Sequence, residues 1–303
     1  MNEEKPKTVT LVEVGPRDGF QFEKTVVPTE RKLDVIARLA AAGLRRIQVT
    51  SFVHPAMVPQ MADAETLVAR LPQESAVEYS ALVLNERGLD RALVSEIRNV
   101  EISLSASDAH SRKNAGMPHA EALTRGLSMI DRAVSAGIHV RASLQCAFGC
   151  VEEGPIPTDR IAETIRRFVE HGAHELCLAD TTGMGSPPAI RKILDTVRPL
   201  SGGQPLALHL HDTRGLGLVN LMAAMDCGVA IFDTSLAGMG GCPFVPGAAG
   251  NIATEDTAYL LSSLGIDTGV DIDRVGAISR DLEDFFNTSF SGRIHRLAAH
   301  FPL

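Results

Sequence analysis

From end to end the chain alternates between short β-branched apolar runs and segments of helical spacing, and this alternation most limits what it can fold into. Runs at 9–14, 47–52, 77–84, 100–104, 140–146, 175–179, 206–210 and 231–235 are each short enough for a fully buried parallel strand. The segments between them carry helix punctuation. Thr29 precedes 30–42, which stops at Gly43; Thr158 precedes 159–171, which stops at Gly172. Ser186-Pro187 opens a segment that runs to 197, with Pro199 beyond it, and 253–264 stops at Gly265. Eight strand–helix units predict an α/β fold, a (β/α)8 TIM barrel over about 9–265 in a single domain. A doubly wound sheet is the structural competitor, but no G-x-G-x-x-G follows an early strand. Residues 271–303 lie beyond the eighth unit. Helical spacing over 272–286 predicts a C-terminal helical extension that covers a barrel end or a partner subunit.

A net charge of −8 argues against general attraction to nucleic acid or to an anionic membrane, although a local basic patch such as Arg45-Arg46 remains compatible with an anionic ligand. Five cysteines in 303 residues do not make a secreted disulfide framework. The opening MNEEKPKT has no apolar h-region, and no apolar run is long enough to span a bilayer. The expectation is a cytoplasmic protein, and a homo-oligomer.

In a barrel of this kind, active sites are built at the C-terminal ends of the strands, and the chemistry-bearing residues fall there. Arg17 and Asp18 follow the first run, Gln48 lies in the second, Asp180 ends the sixth, His209 and His211 close the seventh, and Cys242 and Asn251 follow the eighth. Residues i and i+2 of a strand share a face, so His209 and His211 can meet one metal ion. An isolated pair of this spacing is more often two hydrogen-bonded structural histidines. Asp18 adds a hard oxygen ligand. Carboxylate, two imidazoles and an amide oxygen suit Mg2+ or Mn2+ and would accept Zn2+. Arg17 does not readily deprotonate, which leaves an oxyanion or carboxylate clamp, or a plain salt bridge. Cys242 sits in a stretch with five glycines between Gly238 and Gly250, where a thiol can transfer protons if its environment lowers its pKa. Asp180 reads either as a substrate-orienting carboxylate or as a cap on the next turn, and Asn251 as a cap or a ligand. Asn251 and Glu255 are four apart at a helix start, hence on one face. Cys146 and Cys150 have no second pair to complete a zinc knuckle.

Five segments, VEVGPRDGFQFE, TSFVHPAMVPQM, LADTTGMG, HLHDTRGLGLVN and SLAGMGGCPFVPGAAGNIATED, resemble the hydroxymethylglutaryl-CoA lyase family, in the same order and over about 9–269. The resemblance implies a metal-dependent barrel that cleaves 3-hydroxy-3-methylglutaryl-CoA, an acyl-CoA thioester, to acetyl-CoA and acetoacetate. It implies Asp18, His209, His211 and Asn251 as metal ligands, and Arg17 as the residue that holds the enolate oxygen. It further implies Cys242 as the acid/base of a mobile loop, with Asp180 and Glu255 supporting the site. The chain departs from the family pattern in three places. Gln48 stands where the family usually has an active-site glutamate, Phe244 where a tyrosine commonly follows Cys-Pro, and the basic residue that the family often has near Asn287-Thr288-Ser289 is absent. Competing readings are a lyase for another branched or citramalyl-type 3-hydroxyacyl-CoA, a Claisen-type synthase, and a catalytically silent paralogue that binds CoA esters.

Overall fold

A computed structural model describes residues 6–72, 76–241 and 249–297. Eight parallel strands close into a barrel in chain order: β1 (Thr10–Glu13), β2 (Arg46–Ser51), β3 (Glu78–Val83), β4 (Asn99–Ser105), β5 (His139–Gln145), β6 (Glu175–Asp180), β7 (Leu206–Leu210) and β8 (Ile231–Thr234). Closure is made by β1 against β8, with Val12 opposite Asp233. Around the barrel run α1 (Thr29–Ala41), α2 (Ala64–Ala69), α3 (Glu86–Val94), α4 (Asp108–Ala115), α5 (His119–Ser135), α6 (Thr158–Glu170), α7 (Pro187–Val197), α8 (Gly217–Met225) and α9 (Thr254–Ser263). The expected extension follows as α10 (Ile272–Phe286) and α11 (Ile294–Leu297). Among the described residues no helix is long and apolar enough to cross a membrane.

The outward faces of the strands bury Leu11, Ile47, Val49, Val100, Ile102 and their like against the helices. This apolar layer is what made the strands visible as short runs. The barrel interior is different. Barrels of this fold usually fill the inside with branched aliphatic side chains, whereas here charged groups cross it. Arg46 donates two hydrogen bonds across the barrel to Glu175, at 2.8 and 3.0 Å, and Arg141 donates to Asp233 at 2.8 Å. Arg46 is therefore an internal cross-brace and not part of a surface patch. Buried charges persist only when each finds its counter-charge, and these do.

Two local expectations change. Thr29 and Thr158 are the first residues of α1 and α6; prolines 28 and 157 occupy the cap positions, and neither threonine caps. Thr29 Oγ1 instead donates to Asp63 at 2.7 Å, tying α1 to the residue before α2. The fourth crossover holds two helices. The sequence DAHSRKNA of α4 has no apolar stripe, and its start is set by Ser107, whose Oγ accepts from the His110 N–H at 3.0 Å.

The C-terminal extension returns to the catalytic end of the barrel. Gly292 N–H donates to the Ala237 carbonyl at 2.7 Å, and Ser291 Oγ lies 3.0 Å from the Gly238 carbonyl and 2.8 Å from that of Ala249. Residues 238–241 and 249–250 are the two stems of the cysteine-bearing loop, so one hydroxyl proton is shared between both. Position 292 admits only glycine, because a Cβ there would stand 2.8 Å from the Ala237 carbonyl carbon and oxygen. Asp256, near the start of α9, locks the same segment by accepting from the Arg293 and Ile294 N–H groups.

Candidate active site

At the end of β1 the chain makes a π-helical turn over Gly15–Gly19, in which the Phe20 N–H reaches back to the Gly15 carbonyl. This wide turn seats Arg17 and Asp18 over the strand ends, both buried. It is pinned from below by Glu13. One Glu13 oxygen accepts from Gly15 N at 2.8 Å and Leu236 N at 3.0 Å, and the other from Thr254 Oγ1 at 2.6 Å. Three segments that bear on the site are thus tied to one buried carboxylate. Burial pushes Glu13 up to about 7, against the opposing pull of these hydrogen bonds.

Arg17 donates from Nη1 to Asp18 and from Nε to the Gln48 side-chain oxygen. Opposite them, β7 delivers His209 and then His211, with their Nε2 atoms 3.0 Å apart. Both rings face the barrel mouth, as the two-residue repeat of a strand demands. Burial, reinforced by the neighbouring His209, pushes His211 down to about 3, which leaves it neutral and its lone pair available. His209 moves the other way. Burial opposes its charge, but a 3.1 Å contact with Asp233 and the charges of Asp233 and Asp18 hold it above its usual value. Asp18 is also buried, yet Arg17 and both histidines keep its carboxyl below the usual range, so it is an anion.

Asp18, His209 and His211 each offer one ligand atom, all within 4.8 Å of one another, a group that can hold a metal ion. Asn251 completes the arrangement. It forms a bridge with His211 in place of capping a helix; α9 begins three residues later. Its Nδ2 donates to Asp18 at 2.7 Å and to the Met239 carbonyl at 2.9 Å, which leaves Oδ1 buried with no partner. An orphaned buried acceptor costs about 1–3 kcal/mol, and a cation bound to that oxygen removes the cost. The donor set of carboxylate, two imidazoles and a free amide oxygen fits a divalent cation. Gly240 allows the close approach: its φ is +110°, and a Cβ there would stand 2.5 Å from Asn251 Nδ2 and 3.0 Å from Asp18 Oδ2.

Arg17, Asp18, His209 and His211 open on a cavity of about 110 Å³. Cys242 and Phe244 lie outside the described residues; Gly241, just before them, lines the cavity. Asp180 does not. It is turned into the following loop, where both its oxygens lie 3.0 Å from the Gly185 N–H, and burial pushes it up to about 6. Glu255 is fully buried, and because Asn251 lies before the start of α9 the two do not share a helix face. Glu255 accepts from Ala237 N at 3.1 Å and from Ser279, so it faces the loop stem and α10. Inference from the sequence overlooked the opposite cavity wall: Glu101 and Ser103 from β4, Ser143 and Gln145 from β5. Their signal was present as polar residues at every second position of otherwise apolar strands.

A family model described as HMGL-like matches residues 8–282. The Bacillus subtilis hydroxymethylglutaryl-CoA lyase YngG is 38% identical over 279 residues, covering 92% of this chain and 93% of its own length. The mitochondrial hydroxymethylglutaryl-CoA lyase of Bos taurus is 41% identical over 270 residues, covering 89% and 83%. Among solved structures, the B. subtilis HMG-CoA lyase superposes with a TM-score of 0.94 at 36% identity, covering 98% of this chain and 100% of that one. An HMG-CoA lyase from A. baumannii, in complex with coenzyme A and 3-methylmalate, gives 0.92 at 34% identity, covering 98% and 97%.

Proposed function

The chain belongs to the HMGL-like family, and from that premise we propose that it is a metal-dependent carbon–carbon lyase cleaving 3-hydroxy-3-methylglutaryl-CoA to acetyl-CoA and acetoacetate. Two observations support this reading together: kinship with lyases of that name, and the convergence of Asp18, His209, His211 and the unpaired Asn251 oxygen beside Arg17. Those four residues would hold the metal ion, with Mg2+ or Mn2+ favoured by the oxygen donors and Zn2+ acceptable to the imidazoles. A bound dication supplies the Lewis acidity that favours ionisation of the substrate's tertiary hydroxyl.

The remaining work falls to the protein. Breaking the C2–C3 bond sends its electron pair toward the thioester, and the charge gathers on the thioester oxygen as an enolate. The Arg17 guanidinium, held in place by Asp18 and Gln48, is set to receive that oxygen. The C3 oxygen becomes the ketone of acetoacetate, and C2 takes a proton to give acetyl-CoA. We assign that proton to the Cys242 thiol. The hydroxyl proton passes to water and the Cys242 thiolate regains its proton from water, so the reaction consumes none overall. Asp180 and Glu255 support the site from behind, by bracing the 181–185 loop and the 237 stem.

Incubation with 3-hydroxy-3-methylglutaryl-CoA and Mg2+, Mn2+ or Zn2+ in turn, with products identified by mass spectrometry, tests the reading. Acetyl-CoA and acetoacetate are expected, and chelation is expected to abolish them. No cleavage with any of the three metals overturns it. Cys242→Ser is expected to lower kcat roughly 10²–10⁴-fold, as for a lost general acid, with metal binding unchanged; an unchanged kcat removes Cys242 from the mechanism. The neutral Gln48 favours a second reading, a lyase for another branched or citramalyl-type 3-hydroxyacyl-CoA. A higher kcat/KM for such a thioester in the same assay decides for it.

A further inference from the structure

Arg17 carries a guanidinium and is 7% exposed, yet only one of its two side-chain acceptors is a carboxylate. Asp18 divides its charge among Arg17, both histidines and Asn251. The second acceptor, the Gln48 oxygen, is neutral. The hydrogen-bond path does not end there, because Gln48 Nε2 donates to Glu101 Oε2 at 2.8 Å. The amide is therefore oriented at both ends, oxygen toward Arg17 and nitrogen toward Glu101. Glu101 is buried, on the same cavity wall that its strand shares with Ser103. Its ion-pair partner is Arg141, at 3.6 Å, which Asp233 engages more closely at 2.8 Å and Glu175 at 3.0 Å.

We propose that Glu101 is a positioning residue of this site, supplying through the Gln48 amide the negative charge that orients Arg17 over the cavity. What Arg17 does there rests on the lyase reading; where it is held does not. The amide and the acid form a unit. A glutamate at position 48 would bring two carboxylates to the spacing now occupied by a hydrogen bond, and two that close do not both ionise. One acid and one amide are required, in either order.

Four variants test this: Glu101→Gln, Glu101→Leu, Gln48→Glu, and the exchange Gln48→Glu with Glu101→Gln. Each single substitution is expected to lower kcat roughly 10–100-fold, the usual loss when a group that orients a site residue is removed. KM for the thioester should change little, because Arg17 acts on charge that develops in the transition state. The exchange is expected to recover most of the lost kcat, since it restores one acid and one amide. Wild-type kcat in both Glu101 variants, or an exchange no better than the product of its single losses, overturns the proposal. Crystals of the wild type, Glu101→Leu and the exchange give a readout that needs no activity. A guanidinium displaced in Glu101→Leu and returned in the exchange supports the proposal, and one that stays in place overturns it. If the wild type cleaves no thioester, the lyase reading falls and the crystallographic comparison decides this proposal alone.

Discussion

Asn251 shows how much one side chain reveals when its partners are counted. Its nitrogen is satisfied twice, by Asp18 and the Met239 carbonyl, while its oxygen is buried with none. The donor end is satisfied within the protein, and the acceptor end is free to meet the metal ion of the proposed lyase. Replacing Asn251 with alanine removes that acceptor and also a donor to Asp18. The affinity for Mn2+, read by calorimetry, is expected to fall roughly 10–100-fold. The metal-free protein should lose less stability than a fully satisfied buried amide would cost it, because the orphaned oxygen goes with the substitution. Unchanged Mn2+ affinity would show that the oxygen is not a ligand. Gln48 teaches the complementary lesson. From the sequence it is a carboxylate lost; in the fold it is a link between Arg17 and a carboxylate two strands away.

At the scale of elements, Glu13 ties the β1 turn, the segment after β8 and the start of α9 to a single carboxylate. Its pKa is raised to about 7 by burial, so the folded state binds its proton more tightly than the unfolded chain does. The stability it contributes is fully present below the unfolded pKa of 4.5 and is lost as pH rises through about 7. Across that window the shift corresponds to roughly 3 kcal/mol. Glu13→Gln should remove this slope. Urea midpoints for wild type minus variant are expected to fall between pH 4.5 and pH 8, and a flat difference would show that the carboxyl titrates normally. The elements also show which parts of the fold were legible. All eight strands were, because each lays an apolar face against the helices and reads as a short run. The turn at Gly15–Gly19 was not, since five residues of GPRDG carry no periodicity, and α4 was not, since DAHSRKNA has no apolar stripe. The meeting of Asp18, His209 and His211 was legible from residue type and strand-end position, whereas Asn251 read equally as a cap. Glu101 was not, because the polar residues at every second position of β4 read equally well as a strand face turned to solvent and as a cavity wall.

Across the whole molecule, the barrel interior and the site are continuous. His209 rests on Asp233, Asp233 on Arg141, and Arg141 also pairs with Glu175, which holds Arg46 from the other side. Arg141→Met would leave Asp233 and Glu175 buried without their shared cation. A loss of roughly 3–5 kcal/mol, the usual cost of breaking a buried pair from one side, is expected in urea unfolding, with weaker metal binding as Asp233 takes up a proton and releases His209. A loss under roughly 1 kcal/mol, the range of an exposed pair, would mean that water reaches this layer. The fastening of the cysteine-bearing loop by Ser291 and Gly292 has a consequence in time. Synthesis proceeds from the N-terminus, and β8 ends at Thr234, so every strand of the barrel leaves the ribosome well before Gly292 does. The nascent chain can close its barrel while both loop stems are still unfastened. Competence to turn over substrate then waits on the emergence of Ser291 and Gly292, after the barrel itself can close.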